Sequence, residues 1–395
     1  MVQHSMRRRP IAAALVAFCA LVSAAVAVAS TTSHRASSPV VIGAALPLTG
    51  GFSAYAATWK NGVVLAQNEI NTSGGIAGRR LSLPIEDWGS DTAKSVQVFT
   101  DLATVKHASA ILGGGSGAIL AQAPLSDRYN VPLVNAAAQT PAMRGAAHYL
   151  FSDINDASAE AADLVRYMVK QLHITRAIIY YVDDATGQGQ RDALTASCKK
   201  YGVTIIDTLS HSFTDTNYRT VIAKMKSENP PAVLVGSHWE NTGYTLKQSV
   251  ELGFKPTWLT LSPAWSDVTL GIAGAPASEG LYTIRSSFDL GQGAKAHAFI
   301  SHYTKRFGSA PDVYAAHFYD AVYLIKAAIL RAGGKTDGTS IMKAIHTFNG
   351  HGDKNRFFGV SGAIAFDSQG MTRQPNYILR IHNGKMVLVT KKTVS

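Results

Sequence analysis

Cysteine is nearly missing from this chain, which has only Cys19 and Cys198. Cys19 lies in an apolar N-terminal run, so a mature form without that run keeps one cysteine and can form no internal disulfide. A thiolate metal centre is excluded for the same reason, and no pair of His, Asp or Glu recurs at a zinc-like spacing, so no metal is expected. Charge runs are scarce as well. The net charge is +11, but after the N-terminal triplet no run of Lys or Arg exceeds two residues, and nucleic-acid binding has little support. No apolar segment after residue 40 is expected to span a membrane. The stretch "DATGQGQR" lacks the lysine of a phosphate loop.

What is present starts at the N-terminus. Three arginines at Arg7–Arg9 precede an apolar run from Ile11 to Ala29, with small residues at Ala27 and Ala29 suited to cleavage. Residues 1–29 are therefore expected to be a cleaved secretory signal. An uncleaved anchor is the rival, weakened by the many alanines of the run. The mature chain is expected outside the cytoplasm.

From Pro39 onward, short apolar runs alternate with longer amphipathic ones, the pattern of βαβ units and a mostly parallel sheet. "VVIGAALPL", "RRLSLPIEDW", "ASAILGGG" and "VPLVNAAA" read as strands, with helices between them. Asp91 is a predicted N-cap. A second series begins near Phe151, with strands at "RAIIYYVDD", "VTIIDTLS", "PAVLVGSH" and "TWLTLSP". The strand "GLYTIRSSF", two long helices, and "GAIAFDSQG" with "NYILRIHNGKMVLV" as a terminal hairpin then complete the two halves. The predicted class is α/β, with two Rossmann-like lobes whose parallel sheets are flanked by helices. One lobe is expected to take residues 39–150 plus 281–360, the other 151–280 plus 361–395. A chain that passes between lobes several times makes a hinge that permits closure around a ligand.

Two enzymatic patterns overlap in "ASAILGGGSGAIL", residues 108–120. Gly113, Gly115 and Ala118 fit a dinucleotide fingerprint, while Gly114 and Ser116 come within one residue of a nucleophile elbow. The next strand ends in Asn135-Ala-Ala-Ala-Gln139 and supplies no carboxylate for a ribose. Ala118 breaks the elbow, and with thirteen histidines a triad partner is easy to find by chance. No cofactor and no catalytic residue are therefore assigned. A turn from strand to helix still offers unpaired N–H groups and the positive end of a dipole, enough to hold a carboxylate.

Several ordered blocks resemble the leucine/isoleucine/valine-binding family of extracytoplasmic solute receptors for ABC transporters, the type I periplasmic binding proteins. They include "VVIGAALPLTGGFSAYAATWKNGVVLAQNEINTSGGIAGRRLSL", "ILGGGSGAILAQAP", "VPLVNAAAQTPAM", "YDAVYLIKAAILRAGGKTDGTSIMKAI" and "FFGVSGAIAFDSQG". The resemblance implies a three-crossover hinge, a cleft for one small ligand, delivery to ABC permease subunits in the inner membrane, and a monomer. It also implies a ligand that is a branched-chain or other amino acid, an amide, or an aromatic or aliphatic carboxylic acid. By position it places Tyr55 against the ligand side chain, Ser116 and Gly117 at its carboxylate, and Ala137 and Gln139 in a loop of backbone and side-chain acceptors. In the second lobe it places Thr186, His238, Trp239 and Ser262 in the cleft. Amino-acid binders of this family carry an acidic residue where this chain has Leu261-Ser262-Pro263, so an α-ammonium would lack its partner unless Glu240 supplied one. Two other functions fit the same residues: a secreted serine hydrolase using Ser116, and a ligand-sensing subunit of a signalling receptor.

Overall fold

The protein is described by a computed structural model covering residues 1–2, 38–286 and 293–389. The signal sequence expected at residues 1–29 falls almost wholly outside the described residues. The folded unit begins at Pro39.

Short apolar runs become strands and the amphipathic runs between them become helices. The first series is β1 (Val40–Leu46), α1 (Ser53–Thr72), β2 (Leu81–Ser82), β3 (Ile85–Asp87), α2 (Thr92–Thr104), β4 (Ala110–Gly113), α3 (Ser116–Tyr129), β5 (Leu133–Asn135) and β6 (Leu150–Ser152). Its sheet runs β2-β1-β4-β5-β6, with β3 also on β1, and every pairing is parallel. "RRLSLPIEDW" divides into two strands around Leu83-Pro84, because proline has no N–H for the ladder; its carbonyl still accepts from Ala44 N at 2.9 Å. Asp91 caps α2 by accepting from Ala93 N and Lys94 N.

The second series is α4 (Ala157–Gln171), β7 (Arg176–Val182), α5 (Ala185–Tyr201), β8 (Thr204–His211), α6 (Arg219–Ser227), β9 (Ala232–Gly236), α7 (Trp239–Glu251), β10 (Thr257–Thr260), α8 (Asp267–Ala273), α9 (Ala275–Ser278) and β11 (Tyr282–Ser286). The chain closes with α10 (Ala294–Phe307), α11 (Val313–Arg331), α12 (Gly338–His346), β12 (Phe357–Phe358), β13 (Ala363–Ile364), β14 (Asn376–His382) and β15 (Lys385–Leu388). The second sheet runs β15-β14-β11-β10-β9-β7-β8. Strand β14 is antiparallel to both β11 and β15.

Three expectations need correction. Strand β11 pairs with β10 and β14, so it belongs to the second sheet, and the return toward the first sheet comes after Ser286 instead of at residue 281. Likewise, Ile364, Phe366 and Met371 pack in the cores of the first sheet, and the chain joins the second sheet only at Asn376. The terminal hairpin is β14–β15, turning on Asn383 and Gly384, both at positive φ; "GAIAFDSQG" pairs instead with Phe357–Phe358. Helix α11 is also long and apolar enough to cross a membrane, contrary to expectation, but 72% of it is buried. It is a core helix laid on α1, where Trp59 stacks on Phe318.

The chain passes between the sheets at residues 153–156 and 372–375, and a third passage joins β11 to α10 across residues outside the described set. The first two passages are tied together: Asn155 donates to Gln374 O and Asn376 Oδ1, each at 2.9 Å.

Candidate functional site

At the C-terminal ends of parallel strands the chain turns into helix N-termini, so polar backbone groups gather along that edge of each sheet. In the first sheet these turns carry Phe52, Tyr55 and Trp59 after β1, Gly115 and Ser116 after β4, and Ala136–Thr140 after β5. Gly115 takes φ 87°, a conformation that glycine adopts without penalty. In the second sheet they carry Asp184 and Thr186 after β7, His238 and Trp239 after β9, and Ser262 and Pro263 after β10.

The two edges meet. Trp239 N donates to Tyr55 Oη at 3.0 Å, and the two rings stack with centroids 4.0 Å apart. Thr186 Oγ1 donates to Ser116 Oγ at 3.0 Å. Phe52 and Phe213 lie 4.9 Å apart, centroid to centroid. Between the edges remains a cavity of about 30 Å³, lined by Phe52, Tyr55, Trp59, Gly115, Ala137, Thr186, His238, Pro263 and Tyr314. That volume holds about two water molecules. This is a closed cleft.

Of the residues expected to hold ligand, Tyr55, Ala137, Thr186 and His238 line the cavity. Ser116 is buried beside it with its hydroxyl on Thr186, and among the described residues no histidine hydrogen-bonds to it. Gly117 lines no part of the cavity: a Cβ there would stand 3.1 Å from Thr92 Oγ1 of its own lobe and 3.8 Å from Ala185 Cβ of the other. Trp239 packs behind Tyr55. Gln139 and Ser262 meet each other across the cleft at 3.1 Å, away from the cavity. Trp59 and Tyr314 also line the cavity, although neither is among the residues expected there.

The acid beside Ser262 is Glu160, on the first turn of α4. Glu160 Oε1 accepts from Gln139 Nε2 at 2.8 Å and from Ser262 Oγ at 2.7 Å, and Oε2 accepts from Ser262 N at 3.1 Å. Glu240, the residue proposed from sequence, lines neither this cluster nor the cavity. Burial pushes the Glu160 carboxyl up to about 7, against the lowering effect of the Ser262 and Gln139 hydrogen bonds and of Arg285. Because the folded value lies above the ordinary 4.5, stability from this group is complete below pH 4.5 and is lost as pH rises through about 7. Glu160→Gln is therefore expected to flatten the fall in melting temperature between those limits. Gln139 can turn its amide to accept from the new Nε2 at the cost of its bond to Asn155 O, so the slope with pH, and not the absolute melting temperature, is the readout. A melting series across pH checks this, and an unchanged slope would show that another group sets it.

His238 Nε2 lies 2.7 Å from Asp184 Oδ2. Burial alone would raise the Asp184 carboxyl, but His238 and the amides of Gly187 and Thr186 outweigh it and hold the group below its usual range. The imidazole in the cavity wall is thus fixed by a carboxylate that also caps α5. No group of three or more metal-ligating side chains is present among the described residues.

The profile of the periplasmic binding protein family matches residues 39–385, nearly the whole described chain. The chain belongs to the periplasmic binding protein family. It is 24% identical over 360 residues to "Leu/Ile/Val-binding protein homolog 3" of Brucella melitensis biotype 1, covering 88% of this chain and 93% of that one. The branched-chain amino acid transporter substrate-binding protein LivJ of Streptococcus pneumoniae, solved with isoleucine, is 25% identical. It superposes with a TM-score of 0.79, covering 88% of this chain and 97% of the other. A solute-binding protein of an ABC transporter from R. palustris, solved with benzoate, is 19% identical with a TM-score of 0.79, covering 89% and 95%. Both solved neighbours share the two-lobed α/β architecture. Members of this family are extracytoplasmic solute-binding proteins, and the cavity between the two sheet edges lies where the lobes close.

Proposed function

We propose that this chain is the solute-binding component of an ABC uptake system, exported by a cleaved signal at residues 1–29. In this reading it acts as a monomer, carries out no chemistry on its ligand, and docks on inner-membrane permease subunits. Its ligand is a small carboxylic acid with an aromatic or aliphatic body. One observation carries that choice: the cavity between the lobes has aromatic walls and no carboxylate among its lining residues. The two acids behind its walls are already engaged: Asp184 holds His238 Nε2 at 2.7 Å and accepts from the Thr186 and Gly187 amides, and Glu160 accepts three hydrogen bonds outside the cavity. A leucine-like ammonium would therefore be buried without a counter-charge, which is costly. A carboxylate suits the α3 N-terminus, where the Ser116 hydroxyl is released from Thr186 once the lobes part.

The closed cavity is too small for such a solute, so it enters when the lobes swing apart on their crossovers. It then favours closure through contacts made to both lobes at once. A thermal-shift screen of the purified protein against aromatic acids, aliphatic acids and branched-chain amino acids tests this. Carboxylic acids are expected to give the largest rise in melting temperature, since a ligand that binds only the folded state stabilises it by mass action. A larger rise with leucine or isoleucine would overturn the ligand assignment. Ester turnover abolished by Ser116→Ala would overturn the binding-only role.

A further inference from the structure

Trp59 is 3% exposed and lines the cavity between the lobes, yet its indole N–H has no hydrogen-bond acceptor among the described residues. A buried donor left unmet is costly and uncommon in native structures. The ring itself is firmly held: it stacks on Phe318 at 5.1 Å between centroids and lies 6.3 Å from Tyr314. Its benzo edge faces the glycine-rich loop, where a Cβ on Gly114 would stand 2.8 Å from Trp59 Cζ3 and 3.2 Å from Cη2. In an indole, Cζ3 and Nε1 lie on opposite edges of the ring system. The N–H is therefore turned away from the α3 N-terminus that suits a carboxylate. Trp239 has the same unmet N–H, but it packs behind Tyr55 and does not line the cavity.

We infer that Trp59 is a specificity-determining residue whose indole N–H donates to an oxygen at the far end of the bound acid, so that the cleft selects hydroxy- or oxo-substituted carboxylic acids over plain hydrocarbon ones. This rests on the carboxylic-acid reading above and narrows it. A site with a buried polar group rejects an analogue that leaves that group unpaired far more strongly than it rejects one of slightly different size. The aromatic walls from Phe52, Tyr55 and Tyr314 suit a flat body between the two polar ends.

Titration calorimetry with 4-hydroxybenzoate and 4-methylbenzoate, which match in size and differ in the acceptor, tests the inference on the wild-type protein and on Trp59→Phe. The wild type is expected to bind the hydroxy acid about tenfold more tightly or better. Trp59→Phe keeps a flat ring on Phe318 and is expected to bring the two affinities within about twofold of each other, a loss of selectivity that simple loosening of the core, which weakens both acids alike, would not produce. Equal affinities in the wild type, or a preference that survives in Trp59→Phe, would overturn the role of Trp59 and leave the acid-binding function standing. If neither acid binds while a branched-chain amino acid does, the carboxylic-acid reading itself fails, and the inference falls with it. The wild-type comparison is decisive on its own should the variant fold poorly.

Discussion

Gly62→Val is expected to destabilise the first lobe by about 3 kcal/mol or more, at the upper end of what overpacking costs. A Cβ at residue 62 would stand 2.2 Å from the Ala315 carbonyl oxygen and 3.1 Å from its carbon. These are backbone atoms of α11, so no rotamer change relieves the clash and the two helices must separate. The contact they would lose is the centre of the core, where Trp59, Val63 and Ala66 of α1 meet Phe318, Val322 and Ile325 of α11. Removing a helical glycine gains only about 1 kcal/mol in propensity, which leaves a large net loss. Gly271→Ala in α8 is the control, because nothing lies within 4 Å of a Cβ there. Urea unfolding should show a lower midpoint for Gly62→Val and an equal or higher one for Gly271→Ala. Equal midpoints for Gly62→Val and the wild type would mean that the helices are not packed this closely.

The same glycine shows what the sequence can and cannot reveal. Its Asn-Gly pair stands in the family-like block, but the cause, a helix crossing at backbone contact, is visible only once α11 is in place. Alternation of strand and helix is legible because periods of two and of 3.6 leave different apolar patterns. Strand β6 escapes such a reading, since Leu150–Ser152 is three residues long, too short to show a period. The division of "RRLSLPIEDW" is open to detection, given Pro84 in its middle. Cleft residues on strand-to-helix turns are accessible by position, which is why Tyr55, Ala137, Thr186 and His238 are expected there and do meet. Glu160 is not accessible: it sits in an amphipathic helix 102 residues from Ser262, and only the crossing of the chain between the sheets brings them together. Trp59 is hidden for a related reason. At helical spacing, an aromatic on an apolar face reads as core, and Trp59 is both core and cavity wall.

Closure itself can be tested apart from ligand contact, and Gly189→Leu is expected to weaken solute binding about a hundredfold while leaving the fold intact. Gly189 lies on α5 of the second sheet and lines no part of the cavity. A Cβ there would stand 2.6 Å from Thr140 Oγ1 and 3.1 Å from Pro141 Cδ, both on the loop that follows β5 of the first sheet. Leucine in a helix is locally more favourable than glycine, so the second lobe should not lose stability. The added side chain instead occupies the space that the first lobe takes up on closing. The solute would then be held by one lobe, without the contacts that favour the closed state. A hundredfold loss corresponds to about 2.7 kcal/mol of closure energy, a reasonable share for the contacts between the lobes. Small-angle scattering with saturating ligand should show the variant remaining expanded where the wild type contracts. Should Gly189→Leu bind as tightly as the wild type and contract equally, binding would not depend on this closed arrangement, and the hinge would have to be assigned a different end state.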